Sequence, residues 1–361
     1  MPAFRKLLFF ALFLTFDLIM FGAFVRVTDA GLGCPDWPGC YGKASPLGAL
    51  DTIRAEAAQR PDGPVTVFKA WVEMLHRYVA AGLGLIVIAL AVMASRLART
   101  GSGSGSGLAQ RDALAPGVAL AWFTLVWIIL QGIFGAWTVT LKLKPLVVTA
   151  HLLGGMLLFA LLLAQAVRVA GHPPVGRAAA GYGRWASIAL VALFVQIALG
   201  GWVSTNYATL ACRDFPTCQG VWWPPMDFAA GFELWRPLGV SGDGAALPFQ
   251  ALTAIHFAHR LFAFVVFAVV GGLAWRIRRI EGLERVATGL LAVLALQLAT
   301  GLTNIFLDWP LAAAVLHTGG AAALLGLLLM VKFRIRAAAG IPSDRARAGP
   351  SPDPRLARAG T

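Results

Sequence analysis

Residues 71–95 read WVEMLHRYVAAGLGLIVIALAVMAS. From Val79 to Ala94 the stretch carries no charge, and as a helix rising about 1.5 Å per residue it is long enough to cross about 30 Å of hydrocarbon. Inside lipid every main-chain N–H and C=O must be satisfied within the segment, which an α-helix does by itself. Seven more runs of this kind stand near residues 7–27, 116–137, 145–167, 184–205, 251–275, 285–306 and 310–331. The first follows Arg5 and Lys6, as a signal peptide would, but it is too long for a signal core and no small-residue cleavage site follows it. The expectation is eight spans in an all-α polytopic membrane protein.

Composition excludes the other broad classes. Of 361 residues, 58% are hydrophobic and 13% charged, about half the ~25% charge of soluble domains. Mean hydropathy is +0.73. Such a chain is neither disordered nor a collagen-like or disulfide-scaffold protein. Net charge is +13, but the cations lie between the apolar runs, so they speak for orientation and not for nucleic acid. Nineteen Lys and Arg fall with the termini and the even-to-odd connections, against nine in the opposite loops. The positive-inside rule then puts both termini in the cytoplasm and the long loops 28–70 and 207–250 outside. Gly101 to Gly107 reads as a flexible linker, and 341–361, rich in Arg, Pro and Ala, as a disordered cytoplasmic tail touching anionic lipid.

The chain repeats itself. Residues 34–42 (CPDWPGCYG) and 212–220 (CRDFPTCQG) share C-x-D-[FW]-P-x-C-x-G, and each follows a glycine, Gly22 or Gly200, by the same interval. EMLHR at 73–77 answers HFAHR at 256–260, and AHLLGG at 150–155 answers LHTGG at 316–320, each after a proline, Pro145 or Pro310. Spans 1–4 and 5–8 therefore read as two copies of a four-helix unit, 1–170 and 171–340. An even number of spans per copy inserts both the same way up, so the expected fold is two tandem four-helix bundles related by a parallel pseudo-twofold axis.

Five of six histidines lie in spans; His172 is in an inner connection. Four of the five recur between the halves: His76 and His151, His259 and His317. Each sits roughly 9–13 Å in from the outer end of its helix, two per half on different helices. Ionisable residues at that depth are rare and usually functional. Two imidazoles on separate helices can clamp one iron with a flat macrocycle between them. Gly154 and Gly155 after His151, and Gly319 and Gly320 after His317, would let a porphyrin approach the backbone. Arg77 and Arg260 are candidate propionate partners. Interhelical hydrogen bonding and a copper or zinc site remain open as alternatives.

Glu73 stands one turn before His76, where the second half has His256. A carboxylate there serves as proton relay, general base or charge partner, unless it is solvated near the headgroups; His256 also reads as a hydrogen-bonding or packing partner. Cys34/Cys40 and Cys212/Cys218 are expected to form two disulfides within outer loops, in an oxidising compartment. Loop bracing and redox chemistry are both open to them.

Together these residues resemble the heme A synthase family over the chain up to about residue 335. The resemblance rests on E-x-x-H-R at Glu73 to Arg77, the second His-Arg at His259, the two later histidines before Gly-Gly, and the paired cysteines. It implies oxidation of the C8 methyl of heme O to a formyl group, giving heme A for cytochrome oxidase in a bacterial inner membrane. It implies a permanent heme b on His259 and His317, substrate heme O on His76 and His151, and catalysis at Glu73. Heme O synthase would be the donor partner. The sequence assigns no electron donor or acceptor and leaves a homo-oligomer open. The rival reading is a di-heme bis-histidine membrane electron-transfer protein of quinol oxidoreductase type.

Overall fold

The structure is a computed structural model that describes residues 2–61, 63–100, 108–170, 174–242 and 244–339. The linker 101–107, His172 and the tail 341–361 lie outside the described residues. Eight helices are long and apolar enough to cross a membrane. Span 1 is Pro2–Val27, span 2 Val67–Thr100, span 3 Leu108–Thr140 and span 4 Pro145–Ala170. Span 5 is Gly183–Thr205, span 6 Phe249–Ile277, span 7 Glu284–Phe306 and span 8 Leu311–Ala339. Among the described residues no β-strand is formed; three isolated bridges occur in loops.

The helices outrun their apolar cores mainly at the ends carrying Arg96, Arg99 and Arg336. A helix continues past the hydrocarbon while its residues have helix propensity, and charged side chains there reach the headgroups. Span 4 begins at Pro145, whose missing N–H is no loss in a first turn.

Spans 1, 2, 3 and 4 pack each on the next and close a ring, and spans 5, 6, 7 and 8 close a second one. The rings meet through spans 1 and 8, 4 and 5, and 4 and 8. Exchanging spans 1–4 for spans 5–8 leaves this set of neighbours unchanged. Half of the most apolar window of span 8 is buried (50%), against 11% in span 3, so span 8 is central and span 3 faces lipid. One apolar cluster fills the first ring around Leu8, Leu83, Leu90 and Leu162. Another fills the second ring and takes in Ile19, Met156 and Phe159 from the first, which joins the two.

The matched halves also share main-chain detail. Seven residues after Gly22, Gly135, Gly200 and Gly301 stand Asp29, Lys142, Tyr207 and Asp308, all with φ between 51° and 55°. A left-handed residue closes a helix by satisfying its last carbonyls. At the seam between rings Arg26 donates to the Ser204 carbonyl at 2.5 Å and lies 3.8 Å over the Tyr207 ring. The Tyr207 hydroxyl donates to Asp29 at 2.6 Å.

Both cysteine pairs are disulfides, Cys34–Cys40 and Cys212–Cys218. Cys40 and Lys43 exchange main-chain hydrogen bonds of 2.8 and 3.0 Å, and Cys218 and Val221 of 3.0 and 3.2 Å. Between them Tyr41-Gly42 and Gln219-Gly220 all take positive φ, the two-residue turn that favours glycine second. The motif aspartates bind these turns. Asp36 accepts from Tyr41 N–H and Gly42 N–H at 2.6 and 2.7 Å, and Asp214 from Gln219 and Gly220 at 2.7 and 3.0 Å. Burial raises the Asp214 carboxyl, but hydrogen bonds from the Thr217 hydroxyl and the Gly220 and Gln219 amides outweigh it and hold it below the usual carboxylate range.

A Cβ on Gly220 meets nothing within 4 Å, and its φ is +77°, so Gly220→Ala tests the backbone alone. The expected cost is ~1 kcal/mol. In a thiol–disulfide exchange titration the Cys212–Cys218 equilibrium should shift roughly fivefold toward the dithiol, with a smaller shift for Gly220→Asn.

Candidate functional site

The four matched histidines sit at corresponding corners of the two rings. His76 is on span 2 and His151 on span 4, and His259 and His317 are on spans 6 and 8. The two histidine-bearing spans of each half lie diagonally across their ring. Each imidazole also lies against a glycine of the preceding span. A Cβ would stand 3.3 Å from the His76 ring at Gly22, 3.3 Å from His151 at Gly135, 3.0 Å from His259 at Gly200 and 3.5 Å from His317 at Gly301. One turn before each glycine, the carbonyl of Leu18, Gln131, Gln196 or Gln297 faces the same ring. The missing side chain lets each ring enter the helix–helix seam.

The expectation for Gly154, Gly320 and Gly319 is corrected. A Cβ at Gly154 would run into the Gln131 amide, one at Gly320 into Gln297, and one at Gly319 into Met20. These glycines make room for neighbouring side chains, not for a macrocycle. Gln131 donates its amide to the His151 carbonyl at 2.6 Å, so the notch seats a polar residue that anchors the histidine-bearing helix. The four glycines that carry the rings, and the glutamines, were not singled out as site residues from sequence. Their signal was there: Gly135 precedes His151, and Gly301 His317, by equal intervals, with a glutamine one turn earlier in both.

Glu73 is 4% exposed, which removes the reading of a carboxylate solvated among headgroups. Its Oε1 accepts from Arg77 at 2.5 Å and its Oε2 from the Cys34 N–H at 2.9 Å. Arg77 also donates to the carbonyls of Asp36 and Gly39 at 2.9 and 2.7 Å. The pair ties span 2 to the first disulfide ring. In the second half Arg260 donates to the carbonyls of Asp214 and Cys212 at 2.8 and 2.6 Å. Its Nε donates to His256 Nε2 at 3.2 Å, so His256, 5% exposed, is a hydrogen-bonding partner. Both arginines thus hold the loops above the histidine pairs. Thr217 bonds Asp214 inside the second ring.

The donor set fits heme. Each half presents two imidazoles from different helices, and the buried Nδ1 of His151 and Oε1 of Gln196 and Gln297 have no hydrogen-bond partner, as polar groups arranged for something further would. Among the described residues no three of His, Cys, Asp and Glu come together, so a multi-ligand zinc or copper cage is not formed by them.

Fold and site define an eight-span membrane protein with two matched imidazole pairs, each beneath a disulfide-closed loop. A family model described as cytochrome oxidase assembly protein matches residues 5–329, and the chain belongs to that family. It is 38% identical over 330 residues to the heme A synthase of Shewanella oneidensis, covering 91% of this chain and 95% of that protein. It is 28% identical over 354 residues to the heme A synthase of Caulobacter vibrioides, at 91% and 95% coverage. It is 25% identical over 310 residues to that of Halalkalibacterium halodurans, at 83% and 86%.

The ring-against-glycine contacts can be tested by filling them. Gly200→Ala, with the tightest approach at 3.0 Å, is expected to cost ~1–3 kcal/mol through overpacking. Gly301→Ala, at 3.5 Å, meets ordinary van der Waals contact and should cost under about 1 kcal/mol. Thermal unfolding in one detergent ranks the two.

Proposed function

We propose that this chain is a heme A synthase that oxidises the C8 methyl of heme O to a formyl group, supplying heme A to cytochrome oxidase. Family membership and the named relatives support this over the two-heme electron-transfer rival. The observation that carries the reading is one-sided: Glu73, buried and paired with Arg77, belongs to only one of the two histidine pairs, His256 taking its place at the other. Two equivalent electron-transfer centres would not need that difference.

On this reading residues 1–170 form the substrate unit and 171–340 the heme b unit. His76 and His151 hold heme O by its iron. His259 and His317 hold heme b, which when bound supplies one-electron chemistry. Glu73 is the group placed to hold or move a proton beside His76, and Arg77 orients that carboxylate while the Cys34 amide fixes its second oxygen. The disulfide loop, clamped by Arg77, closes the outer end of the site against water. Arg77 and Arg260 remain our candidates for the propionates, reached from the loop carbonyls they now bind. Heme O synthase is the natural donor, because heme O is too apolar to cross water alone. The loops lie on the periplasmic side and the termini in the cytoplasm, as the cation bias and the disulfides support.

Expression with a heme O source, followed by heme extraction and mass analysis, tests the proposal. Wild-type membranes should yield heme A. Glu73→Ala and Glu73→Gln should lower it at least about 100-fold, the scale of a lost acid–base group, while total bound heme stays the same. Only heme B in wild-type membranes, at about two per chain, would overturn the reading in favour of electron transfer.

A further inference from the structure

We propose that Thr300 and Gln196 make the second imidazole pair the retaining heme site, and that Phe134 and Leu18, at the matching positions of the first half, leave the first pair able to exchange heme. The inference rests on the reading of the chain as a heme A synthase with one resident and one substrate heme.

The halves agree in almost everything around the imidazoles and differ here. Thr300 and Phe134 each stand one residue before a ring-carrying glycine, Gly301 or Gly135; Gln196 and Leu18 each stand one turn before Gly200 or Gly22. Thr300 Oγ1 lies 2.9 Å from His317 Nδ1. Its own proton goes to the Leu296 carbonyl at 2.9 Å, so its lone pair is left to accept the Nδ1–H. That bond fixes the tautomer with a free Nε2, the nitrogen left for iron. The Gln196 amide nitrogen lies 3.2 Å from His259 Nδ1 and 3.4 Å from its Nε2 and donates to the His259 carbonyl at 3.1 Å, while Oε1 has no partner. To hold the Nδ1–H of an iron-ligating ring the amide turns so that its free Oε1 faces Nδ1 as acceptor.

In the first half nothing replaces them. His151 Nδ1 is buried without a partner, and Phe134 has no polar atom to give it. His76 meets the edge of Phe21, with ring centroids 5.6 Å apart, and Leu18 at the position of Gln196. Among the described residues no side-chain hydrogen bond reaches either imidazole. The main-chain carbonyl faces all four rings, and Gln131 and Gln297 occur in both halves, so neither discriminates between the sites. A histidine ligand whose second nitrogen is held binds metal more tightly, by about 10- to 100-fold in affinity. A pair in which both ligands are held keeps its heme; a pair in which neither is held releases it, as a site for substrate and product must.

The test is a titration of heme-free, full-length protein in lipid nanodiscs with ferric heme b, followed by absorbance and by the low-spin signal in electron paramagnetic resonance. His76→Ala with His151→Ala isolates the second pair, and His259→Ala with His317→Ala the first; circular dichroism confirms that each remains helical. The second pair should bind at least about tenfold more tightly than the first. Thr300→Val and Gln196→Leu should each weaken it by about 10- to 100-fold, while Thr300→Ser, which keeps the hydroxyl, should bind like the parent. Phe134→Thr with Leu18→Gln should tighten the first pair by about tenfold. Equal affinities at the two pairs, or equal losses in Thr300→Val and Thr300→Ser, would overturn the proposal. The readout is binding, so its outcome is separate from that of the activity. Unequal sites without heme A formation would sink the proposed function alone; equal sites with heme A formation would sink this inference alone.

Discussion

An imidazole inside a bilayer needs a neighbour that is both close and polar, and much of this structure follows from meeting that need four times. Each ring reaches into the seam between two helices because the facing residue is glycine, and each finds a main-chain carbonyl one turn away on the same partner helix. A side chain at Gly22, Gly135 or Gly200 would crowd its ring and force it to shift in the seam, whereas Gly301 leaves its ring at ordinary contact distance. The glycine contact therefore sets how closely spans 1 and 2, 3 and 4, 5 and 6, and 7 and 8 approach. Closing those four couples into two rings brings the imidazoles together in pairs.

The outer loops depend on the same helices. The two disulfide rings are not free caps: Arg77 and Arg260 leave the helices one residue after His76 and His259 and donate into the carbonyls of the rings. A loop of this kind transmits position. If the ring shifts, the arginine shifts, and with it the Glu73 carboxylate in one half and His256 in the other. This charge difference between the halves thus sits where loop, helix and histidine pair meet.

The matching of the halves makes their differences informative. Both halves keep the ring-bearing glycines and the glutamines in the notches of Gly154 and Gly320. Positions that packing leaves free can diverge. Thr300 against Phe134, Gln196 against Leu18 and His256 against Glu73 are such positions, and Thr300, Gln196, His256 and Glu73 each bond an imidazole of the site or the arginine next to it.

Much of this was legible in the amino-acid order. Hydropathy determined the eight spans, because a chain that must bury its own backbone polar groups in lipid has the helix as its one local solution. The recurrence of C-x-D-[FW]-P-x-C-x-G and of the histidines determined which residues correspond, and the cysteine spacing the two disulfides. Tertiary structure alone decided which side chain fills which gap. Gly154 and Gly320 looked like room for a macrocycle and are filled by Gln131 and Gln297. Arg77 and Arg260, expected as propionate partners, also hold loop carbonyls. Glu73 could be placed on a helix face but not beside the Cys34 amide. Helical periodicity orders residues along one helix; contacts between helices depend on rotation and approach, which the packed rings set together and no single segment encodes.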